Sequence, residues 1–154
     1  MKRLAMLIAT WFGSGYLPEA PGTWGSLAAL PFAWVILTLL PGAFPLLAAS
    51  CVLLAVGVWA SAQHSATLGT HDAGEIVVDE VVGQWMVLAV APFSPLGWLV
   101  AFLLFRFFDV LKPWPISWID RRVSGGWGIM LDDVVAGLFA AVSVWLIVFA
   151  VGGF

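Results

Sequence analysis

Three long tracts of this chain carry no charged residue at all: residues 20–71, 81–105 and 134–154. A tract of that kind cannot face water along its length, whereas about 20 apolar residues in a helix cross the hydrocarbon core of a bilayer. The first tract is too long for one crossing and breaks at "PGAFP" (41–45), where proline and glycine favour a turn. The second breaks at "PFSPLG" (92–97). Helices are therefore expected at about 25–40, 46–63, 76–91, 97–108 and 134–151. Two of these are short, so tilted or partial crossings are included among four or five membrane helices. Composition agrees: the chain is 62% hydrophobic and 10% charged, against about a quarter charged in soluble domains. Its mean hydropathy is +1.05, and its ten tryptophans suit membrane interfaces. The expected fold is all-α: one membrane-embedded domain over residues 1–154.

The charged residues fall into four groups. Lys2 and Arg3 open the chain, and Glu19 stands alone in what reads as a solvated loop. Asp72, Glu75, Asp79 and Glu80 follow, then Arg106, Asp109, Lys112, Asp120, Arg121, Arg122, Asp132 and Asp133. If each of the first two charge-free tracts is a hairpin, every charged group emerges on one side. All six Lys and Arg then lie together, which assigns that side to the cytoplasm. The N-terminal "MKRLAMLIATWFGSG" has the charge and apolar run of a signal peptide, but no small-x-small cleavage site follows. An interfacial helix over 4–12 is expected instead. No basic patch interleaved with aromatics points to nucleic acid. The single cysteine, Cys51, has Gly57 six residues on rather than an arginine, and reads as a small packing residue.

The acids form a pattern. "VVDEVVGQWMVLAVA" (77–91) and "MLDDVVAGLFAAVSV" (130–144) each place an acidic pair before Val-Val, a small residue and an apolar run. Both pairs are expected to open membrane helices, where one acid complements the positive end of the helix dipole. Two adjacent acids, twice, exceed that need. Four carboxylates brought together repel one another unless a cation sits among them, and an all-oxygen cluster suits a hard divalent ion such as Mg²⁺. Asp79, Glu80, Asp132 and Asp133 are accordingly the candidate metal ligands. Glu75 is four residues before Asp79 and shares its face only if the helix begins early.

In "FRFFDVLKPWPISWIDRR" (105–122), Arg106, Asp109 and Lys112 fall on roughly one helical face, and the prolines of "KPWP" end the helix near Lys112. A guanidinium and an ammonium beside acids at a membrane surface suit a phosphorylated group. The glycine- and proline-rich "FGSGYLPEAPGTWGSL" (12–27) leads into a helix whose first N–H groups can receive phosphate oxygens, with Thr23 and Ser26 adding hydroxyls. It lacks the Gly-Lys-Ser/Thr end of a P-loop. His64 reads as structural. His71, beside Asp72, is a candidate for proton transfer or for supporting a ligand.

Together "FGSGYLPEAPGTWGSLAALP", "HDAGEIVVDEVVGQW", "FRFFDVLKPWPISWIDRR" and "GGWGIMLDDVVAG" resemble the motifs of the phosphatidylglycerophosphatase A family, over Phe12 to about Gly137. The resemblance implies an all-helical, Mg²⁺-dependent phosphatase of the bacterial inner membrane, its active face toward the cytoplasm. The implied substrate is phosphatidylglycerophosphate and the product phosphatidylglycerol. Carried onto this chain, it assigns the acidic pairs to Asp79–Glu80 and Asp132–Asp133, and the basic run to Arg106, Asp109 and Lys112. In that scheme Asp79, Asp109, Asp133 and Lys112 act in catalysis, with water or a carboxylate as nucleophile. Arg106 and Lys112 balance the phosphate charge. Neither an Asp-x-Asp pair nor a Lys-x6-Arg-Pro run of other phosphatase chemistries is present. The rival from another class is a carboxylate-lined ion transporter, which places its acids near mid-helix rather than at helix starts.

Overall fold

In a computed structural model, which describes residues 1–70 and 73–152, the described residues form seven α-helices and no strand. They are α1 (Lys2–Ala9), α2 (Pro21–Leu39), α3 (Ala43–Leu68), α4 (Val78–Leu88), α5 (Pro95–Leu111), α6 (Ile116–Arg122) and α7 (Gly125–Ala150). Local sequence accounts for most of the boundaries. Pro21 and Pro95 stand in the first turns of α2 and α5, where a missing N–H costs nothing. The Ser94 side chain caps α5 by accepting from the Gly97 N–H at 3.1 Å. Gly69, with φ of 71°, closes α3 in the left-handed conformation that glycine adopts freely. Lys112 closes α5 immediately before Pro113, as the sequence predicts.

Among the described residues, three helices are long and apolar enough to cross a membrane: α2 with 19 residues, and α3 and α7 with 26 each. The 11-residue α4 and the 17-residue α5 are too short to count among them, so three helices of spanning length stand where four or five membrane helices are expected. α4 is the centre of the bundle. It packs against α2, α3, α5 and α7, and nearly all its side chains are buried. Large apolar side chains point outward instead on the enclosing helices: Phe32 and Val35 on α2, Val52 and Val56 on α3, Leu99 and Leu103 on α5, Val142 and Leu146 on α7. That arrangement suits lipid rather than water.

Helices in lipid associate through close packing, so small residues mark their crossings. A Cβ on Gly83 of α4 would lie 2.8 Å from the Asp133 carbonyl oxygen, and one on Gly137 of α7 would lie 2.9 Å from the Gly83 carbonyl oxygen. The two backbones therefore touch at Gly83 and Gly137. Asp79 precedes the first glycine by four residues and Asp133 precedes the second by four. One helical turn from a shared contact, the two acids reach the same height.

Two boundaries differ from expectation. α7 begins at Gly125, not at the acids, so Asp132 and Asp133 occupy its third turn rather than its first. "GGWG" reads as a loop by propensity, but here its glycines permit contact. A Cβ on Gly126 would fall 2.0 Å from the Val58 carbonyl oxygen of α3. The dipole argument, which fades beyond the first turn, therefore applies to Asp79 and Glu80 alone. α6, with seven residues after the prolines, was not expected as a helix. Cys51 is exposed on the outside of α3 and not a packing residue. The N-terminal helix runs from Lys2 to Ala9, burying Ala5 and Ala9, close to the expected 4–12.

Because Gly126 seats α7 on α3, Gly126→Ala is expected to force the helices apart. The cost of such overpacking is about 1–3 kcal/mol. It should lower the thermal midpoint of the detergent-solubilised protein, and an unchanged melt would show that the contact gives way without cost.

Candidate active site

The charged residues from four separate helices meet in one cleft of about 570 Å³. Asp79 and Glu80 enter from the first turn of α4. Arg106 and Asp109 come from the last turns of α5 and Lys112 from its C-cap. Asp120 comes from α6, Asp132 and Asp133 from α7, and the backbone of residues 20–22 closes the remaining side.

Within the cleft the groups sort into two sets. Asp79, Glu80 and Asp133 each offer a carboxylate oxygen, and these three oxygens lie within 4.8 Å of one another. Asp79 also accepts the Glu80 backbone N–H at 3.1 Å. Asp133 is 2% exposed, so its carboxylate is remote from bulk water. Three carboxylates this close repel one another when ionised, and a cation held among them would relieve that repulsion. Glu80 Oε2 is buried and, among the described residues, has no hydrogen-bond partner. The donor set is all oxygen, as hard divalent cations require, so the residues fit Mg²⁺.

The second set contains the cations, each braced by acids. Arg106 Nη1 lies 2.5 Å from Asp109 Oδ2 and 3.8 Å from Glu80 Oε1. Lys112 Nζ lies 2.5 Å from Asp120 Oδ1 and 2.6 Å from Asp132 Oδ2. Burial works against the ammonium, but the hydrogen bonds and charges of Asp120 and Asp132 outweigh it, holding the Lys112 pKa above its ordinary value. Lys112 is thus a permanent cation at physiological pH.

The structure separates the two acids of the second pair. Asp133 joins Asp79 and Glu80, whereas Asp132 turns to Lys112; adjacent residues on a helix diverge by about 100°. One oxygen of Asp132, Oδ1, is buried without a hydrogen-bond partner, and Asp132 still lines the cleft. Thr23 and Ser26 are not brought into the cleft. Ser26 is fully buried and its hydroxyl donates to the Gly22 carbonyl at 2.9 Å. The backbone at Gly22 approaches in their stead. A Cβ there would sit 2.1 Å from Glu80 Oε1 and 2.9 Å from Arg106 Nη1, so a larger residue would push the ends of these two side chains from their places in the cleft.

Glu75 lies outside the cleft because α4 starts at Val78, too late to place it on the Asp79 face. It meets His64 Nε2 at 2.6 Å, consistent with a structural role for that histidine. Burial and the neighbouring Glu75 carboxylate push the Tyr16 phenol up. These contacts tie the N-terminal loop and α3 to the segment that delivers Asp79. His71 and Asp72 lie outside the described residues. Asp120 was missed by spacing arguments, because its partner Lys112 lies across two prolines, where no helical period connects them.

Comparison with known proteins places the chain in a family. The family model for phosphatidylglycerophosphatase A matches residues 7–148. The chain is 47% identical to "Phosphatidylglycerophosphatase A" of Escherichia coli K12, over 88% of this chain and 78% of that one. It is 46% identical to the protein of the same name from Haemophilus influenzae, over 92% and 86%. It is also 38% identical to a "Putative phosphatidylinositol-3-phosphatase" of Bacteroides thetaiotaomicron, over 96% and 99%. No solved structure matches. A family match spanning nearly the whole chain, joined to a cleft of acids and braced cations, makes this chain a phosphatase of the phosphatidylglycerophosphatase A family.

Proposed function

We propose that the chain hydrolyses the terminal phosphate of phosphatidylglycerophosphate to give phosphatidylglycerol, using Mg²⁺, at the cytoplasmic face of a bacterial inner membrane. The observation that carries this reading is the convergence of Asp79, Glu80 and Asp133 with the braced cations Arg106 and Lys112 in one cleft. An acid cluster alone would suit a cation pathway; the adjoining cations supply a seat for a phosphate dianion. The full set of basic residues lies in segments flanking the charge-free tracts, which supports the cytoplasmic assignment.

Asp79, Glu80 and Asp133 would hold the metal. When bound, Mg²⁺ supplies Lewis acidity toward a phosphate oxygen and lowers the pKa of bound water. Arg106 and Lys112 receive the remaining phosphate oxygens and balance the charge that grows on them in the transition state. Asp109 orients Arg106 and, with Asp120 and Asp132, holds the cations in place before substrate arrives. The cleft wall includes Val110, which is 67% exposed on the outside of α5. A headgroup can therefore enter sideways while its acyl chains stay in lipid.

Phosphate release from phosphatidylglycerophosphate in mixed micelles tests the reading, with Mg²⁺ and then with EDTA. Release in Mg²⁺ that EDTA abolishes is expected. No release in either condition would overturn it and favour transport. A parallel arm with phosphatidylinositol 3-phosphate should run more slowly, given the higher identity to the two phosphatidylglycerophosphatases. A faster rate there would reassign the headgroup.

A further inference from the structure

Gln84 has no place in the chemistry above, yet it is the most buried polar side chain near the site that lacks any partner. It is 0% exposed, and among the described residues neither its Oε1 nor its Nε2 makes a hydrogen bond. A primary amide left unpaired in an apolar interior destabilises the fold, and a leucine of similar volume would avoid the loss. Such a group calls for a partner that function supplies.

Its position on α4 indicates which one. Gln84 follows Glu80 by four residues, so the two share one stripe of the helix with Cβ atoms about 5–6 Å apart. The neighbours on either side are committed elsewhere. Gly83 is pressed against Phe105 and the Asp133 carbonyl, and the Trp85 indole N–H donates to the Ala29 carbonyl at 2.9 Å. Glu80, for its part, turns Oε1 toward Gly22 and Arg106, while its Oε2 is buried without a partner. Two complementary orphans, an amide donor and a carboxylate oxygen, thus lie one turn apart on the same helix.

We propose that Gln84 is a positioning residue for the divalent-cation site: its amide holds one Glu80 carboxylate oxygen through a trapped water, so that the other is presented with Asp79 and Asp133. The inference rests on the reading of those three acids as the cation site. Fixing the orientation of a ligating carboxylate from behind raises affinity for the cation, and loss of such support typically costs about 10–100-fold.

The test uses the full chain in detergent, with Mn²⁺ binding followed by electron paramagnetic resonance in the absence of substrate, and the melting temperature measured in EDTA. Gln84→Leu should weaken Mn²⁺ binding at least about tenfold while the metal-free melting temperature holds or rises. In a Glu80→Gln background the same change should have no further effect on binding, because Gln84 acts through Glu80. Unchanged Mn²⁺ affinity in Gln84→Leu would overturn the proposal while leaving the cation site standing. Additive losses in the double variant would overturn it also. A collapse of the metal-free fold in both Gln84→Leu and Gln84→Met would show that the protein itself satisfies the amide, and the proposal would fall on that result too. If the unaltered chain binds no Mn²⁺, the cation-site reading itself fails.

Discussion

Asp133→Asn is expected to cut phosphate release by about 10²–10³-fold or more, without unfolding the bundle. The reason lies in the position of the side chain. Asp133 is 2% exposed and shares a space of 4.8 Å with oxygens of Asp79 and Glu80. An amide of the same shape keeps the packing but removes one anion from the set proposed to hold a divalent ion. It also removes repulsion within the cluster, so the variant measured in EDTA should melt no lower than the original chain. Activity and metal-free stability are thus expected to move independently. Asp79→Asn, from the facing helix, should behave alike. Rates within tenfold of the original for both variants would remove these residues from the reaction. A lowered melt accompanying the lost activity would instead mark Asp133 as a structural group.

The convergence on which this depends was partly legible in the chain. The acids of "DEVVG" and "DDVVAG" stand four residues before a glycine in the register Asp79–Gly83 and Asp133–Gly137. Sequence reading found the likeness and the tracts that make helices. It did not identify the glycines as the contact that brings the acids level, because close backbone approach is a property of two helices together. The same blindness explains the start of α7. Glycine is a poor helix former, so Gly125, Gly126 and Gly128 read as loop, yet tertiary contact with Val58 outweighs propensity. The split of Asp132 from Asp133 follows from helical rotation, but which acid joins Asp79 and Glu80 depends on the placement of Lys112, set by the proline turn and α6. Thr23 and Ser26 illustrate the opposite error. A hydroxyl near a glycine-rich helix start looks available, but Ser26 is satisfied by its own helix and Gly22 supplies the approach.

Lys112→Met probes the other half of the cleft, and its expected signature differs from that of Asp133→Asn. Methionine keeps much of the length and the apolar stem of the lysine but removes the charge. A charge-assisted bond to the phosphate contributes about 1.5–3 kcal/mol, so kcat/KM should fall by about 10–100-fold. Because the same cation pairs with Asp132, whose side chain is 8% exposed, its loss also leaves a buried carboxylate uncompensated. The metal-free melt should therefore drop, unlike that of Asp133→Asn. Asp120, whose side chain is 36% exposed, can turn to water, so Asp120→Asn should have the smaller effect on both quantities. Lys112→Arg restores the charge but not the compact shape, and should recover stability more fully than rate. With its pKa raised by its two carboxylates, Lys112 remains charged through the neutral range, and the pH profile of the original chain between about pH 6 and 9 should not reflect its titration. Unchanged kcat/KM in Lys112→Met would separate this cation from the phosphate and leave it as a brace for Asp132 alone.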